Sequence, residues 1–193
     1  MSFDWADDKQ SMIKLTIEAV THRENRGTKP SIYSPKTFIY ESPFPEFATE
    51  VHSHSVTCQD PDFYSDVIKD GHARVEYSND GRLLIAPVNS QDKPYFEVPP
   101  GRRYTVITNA TTYVGLIGHF PLVTARPTLK ITLRFGGSAL PNLYFAIMST
   151  SVGAVSTVMR GSGKELSAKG DIQIGTVSVT GQAILLSWKG DST

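Results

Sequence analysis

The chain has 193 residues, 39% hydrophobic and 20% charged, with 19 Lys+Arg balancing 19 Asp+Glu. That is enough chain for a sizeable core, its composition excludes intrinsic disorder, and no apolar run is long enough for a membrane-spanning helix. The single cysteine, Cys58, excludes an intramolecular disulfide. The acidic and aromatic start, Met1–Asp8, is unlike a signal peptide, so an intracellular setting, cytoplasmic or nuclear, is expected. In that setting the Asn109-Ala110-Thr111 sequon stays unmodified.

The zero net charge is a sum of opposites. Residues 1–100 hold 10 Lys+Arg against 16 Asp+Glu, and residues 101–193 hold 9 against 3. Such polarity suits an anionic partner for the basic half, or attraction between copies of the chain.

Residues 1–10 show no period and read as a mobile acidic and aromatic arm, leaving residues 11–193 as a single domain. Ile13, Leu15, Ile17 and Ala19 alternate with Lys14, Thr16 and Glu18, the period of a half-buried strand. His22 to Pro35 is polar and broken by Gly27, Pro30 and Pro35, which reads as a long loop. A short strand at Thr37–Tyr40 and another at Val51–Cys58 follow. Asp60 suits a cap, Pro61 the first helical position and Gly71 a stop, which predicts one short helix over 61–70.

Ala73–Tyr77 and Arg82–Ala86 flank Ser78-Asn79-Asp80-Gly81, a hairpin signal, because Asn, Asp and Gly accept left-handed backbone angles. Pro94–Pro100 reads as an extended connector. Strand-like runs then crowd the second half at Tyr104–Thr108, Tyr113–Ile117, Leu129–Phe135, Leu143–Met148, Ile172–Val179 and Ala183–Trp188. Many short strands between turn residues predict an all-β fold, mainly an antiparallel β-sandwich or jelly-roll-like barrel.

No enzyme signature assembles. His52 and His54 share strand parity with Cys58, but the three span roughly 20 Å along a strand, too far for one ion. Gly161-Ser162-Gly163-Lys164 lacks the earlier glycine and following hydroxyl of a phosphate-binding loop, with Val158 and Glu165 in those places, and reads as a flexible turn. There is no Gly-x-Ser-x-Gly elbow and no carboxylate pair of distinctive spacing. No catalytic residue, metal or cofactor is expected.

The basic residues say more. In residues 126–135 the set Leu129, Ile131, Leu133 and Phe135 faces one way, and Thr128, Lys130, Thr132 and Arg134 the other. Arg126, Lys130 and Arg134, with Arg102 and Arg103 before an earlier strand, make a candidate surface for the phosphates of an acidic membrane or of RNA read without sequence preference. Arg160, Lys164 and Lys169 add charge in the glycine-rich region.

Phe120-Pro121-Leu122-Val123 resembles the Phe-Pro-x-Val budding motif of matrix proteins of some paramyxoviruses, over these four residues. In broad class the chain is similar to matrix proteins of enveloped RNA viruses and to jelly-roll coat proteins, although its N-terminal arm is acidic where theirs is often basic. The expectation is a non-enzymatic structural protein, plausible in a virion. It would self-associate into a homo-oligomer, with Phe3 and Trp5 of the arm docking on a neighbour. A monomeric binding module for a peptide, carbohydrate or lipid is the alternative, and a hydrolase with a spatially assembled site a third.

Overall fold

The computed structural model describes residues 1–33, 37–58, 73–77, 82–87, 96–123, 131–151, 154–174 and 183–190. Among these the chain is built from antiparallel β-sheets and one short helix, as its alternating pattern predicts. The helix expected over 61–70 and the turn 78–81 lie outside the described residues. The flanking strands of that turn, β6 (Ala73–Tyr77) and β7 (Arg82–Pro87), do pair antiparallel, with Tyr77 opposite Leu83.

Contacts divide the chain into two compact units, residues 1–15 with 113–193, and residues 16–112. Two long strands, β2 (Met12–Glu24) and β9 (Arg103–Gly115), contribute residues to both. With β1 (Ser2–Trp5) and β5 (Glu50–Cys58) they form a sheet of order β1-β2-β9-β5.

In the first unit the main sheet has the order β10-β15-β12-β13, from β10 (Ile117–Val123), β12 (Leu143–Ser151), β13 (Ala154–Ser162) and β15 (Ala183–Gly190). Its inner face buries Phe120 from β10, Leu143, Phe145 and Ile147 from β12, and Ile184, Leu186 and Trp188 from β15. Those side chains recur every second residue, which is the physical content of the sequence pattern. The outer face carries one cross-strand row of Ile117, Lys189 and Tyr144. Ile117 is 74% exposed and Tyr144 53%. A two-stranded ribbon, β11 (Ile131–Leu133) with β14 (Ile172–Ile174), also belongs to this unit.

The expected mobile arm is instead a hairpin. Phe3 in β1 is 0% exposed, and its ring lies 5.2 Å from Phe145 and 5.5 Å from Trp188, edge-on to both. The backbone of Phe3 donates to the Gly136 carbonyl at 2.8 Å and accepts from Ala139 N–H at 2.9 Å. Burying this ring against other aromatics outweighs the cost of ordering a few terminal residues. The turn to β2 is held by Asp7, whose carboxylate accepts from the Ser11 hydroxyl and backbone N–H and from Met12 N–H. Those bonds hold the Asp7 carboxyl below its usual pKa.

The supposed glycine-rich turn is also different. Ser162 caps a helix, α1 (Gly163–Lys169), in a reciprocal capping box with Glu165, and Gly170 ends it at φ 66°. Gly163 sits so close to the Leu140 carbonyl that a Cβ there would fall 1.8 Å from its oxygen.

In the second unit, β3 (Ser31–Tyr33) pairs with β8 (Phe96–Val98), and β4 (Thr37–Tyr40) joins β7 and β6 in the order β4-β7-β6. The stretch expected as one loop from His22 to Pro35 thus contains the end of β2 and all of β3. The long-strand partners β5 and β9 run antiparallel, with a bulge between Val51 and Ser53. The residues around it on β9, Ala110, Thr111 and Thr112, are all buried.

Candidate anion-binding surface

In the second unit Asn25 ties three chain segments together. Its N–H donates to the Arg102 carbonyl at 3.0 Å and its carbonyl accepts from Gly101 N–H at 2.7 Å. Its side-chain amide donates to the Val98 and Lys29 carbonyls at 2.8 and 3.0 Å, while its Oδ1 accepts from Gly27 N–H at 2.9 Å. Gly101 has φ +73° after Pro99-Pro100, and Arg102 N–H donates to the Pro99 carbonyl at 3.3 Å. That is a type II turn, with proline and glycine at the positions whose angles they suit.

The stitched loops carry a compact group of cations. The Nε atoms of Arg26 and Arg103 lie 3.5 and 3.4 Å from the same oxygen of Glu24. Arg102 is exposed beside Arg103, and Lys29 is exposed on the loop that Asn25 grips. Residues 22–33 and 96–103 together hold five Lys+Arg against two acids, Glu24 and Glu97. Ile32 follows within three residues of Lys29 and is 68% exposed. Next to this group the His22 Nδ1 and the Thr105 hydroxyl lie 3.0 Å apart.

Of the cations singled out from sequence, Arg102 and Arg103 therefore belong to this surface. Arg134 belongs to the first unit, where its Nε and Nη2 donate to the two carboxylate oxygens of Asp171 at 2.6 and 2.9 Å. Arg134 is exposed and lies just past the end of β11. Arg126 and Lys130 lie outside the described residues, and so do the side chains of Arg160 and Cys58. Phe3 is enclosed within its own unit rather than presented on an arm; Trp5 is half-buried, its backbone N–H donating to the Ser138 hydroxyl at 3.1 Å. Arg26 and Lys29 went unmarked in the sequence, since it is the pairing of distant segments, through Asn25 and Glu24, that brings them to Arg102 and Arg103.

The two histidines of β5 do not form a pair. The bulge at His52 breaks the alternation, so His52 is exposed and its Nε2 lies 2.8 Å from the Thr111 hydroxyl. His54 is 4% exposed and its Nδ1 lies 2.7 Å from the Thr108 hydroxyl. Its Nε2 is enclosed and meets no hydrogen-bond partner among the described residues. Burial pushes its pKa below the ordinary histidine value. No group of three or more potential ligands for a metal ion occurs among the described residues.

Phe120–Val123 lies inside β10, paired with Ala183–Leu186 of β15, and Phe120 is buried. Pro121 is accommodated because β10 is at the edge of its sheet. The sequon lies mid-strand in β9, where Ala110 and Thr111 are buried and Asn109 donates to the Ser53 hydroxyl at 3.2 Å. Residues 161–164 do join a strand to a helix, but the Glu165 carboxylate accepts from Ser162 N–H at 3.2 Å, in the place a phosphate would take. Among the described residues no helix is long and apolar enough to cross a membrane. No family model, no curated protein and no solved structure matches this chain.

Proposed function

We propose that this chain is a non-enzymatic structural protein of matrix or coat type, which associates with its own copies and meets an anionic surface through the loops tied by Asn25. The observation that carries the reading is the meeting of Arg26 and Arg103 at one oxygen of Glu24. Guanidinium groups that grip a carboxylate oxygen have the geometry to grip a phosphate oxygen as well. The exposed row Ile117–Lys189–Tyr144 supports self-association, because a second copy would remove its two large apolar side chains from water.

Size-exclusion chromatography with light scattering, run across protein concentration and salt, tests the assembly. The mass should rise with concentration, and Ile117→Ser with Tyr144→Ser should lower it toward one copy. A mass of one copy at every concentration would overturn the assembly reading in favour of a monomeric binding module. Retention on a phosphate-bearing resin tests the anionic contact, and Arg26→Glu should elute at lower salt than the parent.

A further inference from the structure

We infer that the Asn25 loops are a docking site for an anionic lipid bilayer, with Arg26, Lys29, Arg102 and Arg103 at the headgroup phosphates and Ile32 entering the boundary with the acyl chains. This rests on the anionic contact proposed above and names its partner.

Three features of the surface favour a bilayer. The first is the coupling of charge to exposed apolar surface. Ile32 stands 68% exposed three residues from Lys29, in a strand whose register places Ser31 opposite Val98 and Ile32 opposite Glu97. A single exposed isoleucine is ordinary on any protein. One on the strand that directly follows the loop gripped by Asn25, in a region with four exposed cations, has the composition of an interfacial anchor, where apolar burial and attraction to acidic headgroups add.

The second feature is rigidity. Asn25 fixes the loops through five hydrogen bonds, and Gly101 fixes the turn before Arg102. The backbone that carries the cations is therefore presented without a loop-ordering cost, and only their side chains are left to order on binding.

The third is the placement of Glu24 between Arg26 and Arg103, which suits separate lipid phosphates better than a continuous polyanion threading past.

Co-sedimentation of the full chain with vesicles tests the inference, using phosphatidylcholine alone and phosphatidylcholine mixed with phosphatidylserine. The chain should bind the mixed vesicles and bind those of phosphatidylcholine much more weakly. Each basic residue removed should weaken binding about fivefold, so Arg26→Ala with Lys29→Ala should lose about 25-fold at low salt. Ile32→Ser should weaken binding at low and high salt alike, because its share is apolar. Thermal midpoints equal to the parent's establish that the variants are folded, and these exposed positions should give them.

Equal binding to both vesicle types, or none to either, would overturn the inference. So would tighter binding to a single-stranded RNA oligonucleotide that Ile32→Ser leaves unchanged, which would make the surface a nucleic-acid site. A concentration-dependent mass in light scattering would stand in either case, so failure of the bilayer contact is distinguishable from failure of assembly.

Discussion

Gly118 lies directly opposite Trp188 across the β10/β15 pair, and a Cβ on Gly118 would fall 2.3 Å from Cζ2 of the indole. The ring cannot retreat easily, because it is buried and its Nε1 donates to the Gly115 carbonyl at 3.1 Å. Gly118→Ala should therefore destabilise the protein by about 1–3 kcal/mol through overpacking. Chemical denaturation followed by tryptophan fluorescence measures this, and an unchanged midpoint would show that the indole moves freely.

Phe3→Ala removes a fully buried ring from the cluster with Phe145, Trp188 and Phe135. The expected cost is about 3–5 kcal/mol of stability, the usual range for a buried phenylalanine. The same variant distinguishes a core residue from an assembly arm. A core residue lowers the denaturation midpoint, whereas an arm would change only the mass measured by light scattering.

The helix at Gly163–Lys169 has seven residues and leans on its cap. Ser162→Ala should cost about 1 kcal/mol by leaving Glu165 N–H without its acceptor. Gly163→Ala should cost more, since its Cβ would meet a backbone carbonyl, that of Leu140, which has no rotamer to change. The order of the two midpoints is the test, and a reversed order would place the helix away from Leu140.

His54 gives a pH dependence of defined sign. Its pKa is lowered in the folded protein by burial, so between that value and the ordinary 6.5 the unfolded chain binds the proton and the folded chain does not. Stability from this group is complete above about pH 6.5 and falls as the pH is lowered toward the folded value. The denaturation midpoint of the parent should drop between pH 7 and pH 5 more steeply than that of His54→Gln. Parallel slopes would mean that His54 takes up its proton without penalty.

The sheets were largely written in local alternation. Met12–Glu24 and Leu143–Ser151 show their buried faces residue by residue, because a half-buried strand has to alternate. Phe3 offers no such clue, since its burial depends on Phe145 and Trp188, more than 140 positions away. The strand Ala154–Ser162 is rich in small and polar residues and has little alternation to read. Ser162 and Glu165 did carry a readable signal, the spacing of a capping box, which the flanking glycines obscured.

The candidate surface was half legible for a similar reason. Arg102 and Arg103 stand out as a pair before a strand, but Arg26 and Lys29 lie in a polar stretch. The hydrogen bonds of Asn25 to Val98 and Arg102, and the Glu24 oxygen that Arg26 shares with Arg103, show that they share a surface. The bulge that separates His52 from His54 is likewise invisible locally, because it is a property of the pairing between β5 and β9.

The order in which the ribosome delivers these residues bears on Phe3. Its backbone partners at Gly136 and Ala139, and its ring partners Phe135, Phe145 and Trp188, are all synthesised long after it. At about 5–20 residues per second the first strand waits roughly ten seconds or more with its aromatic ring uncovered. During that interval the nascent chain presents a sticky segment that a chaperone can hold. Closure of the first unit's core is thereby deferred until Trp188 has been delivered.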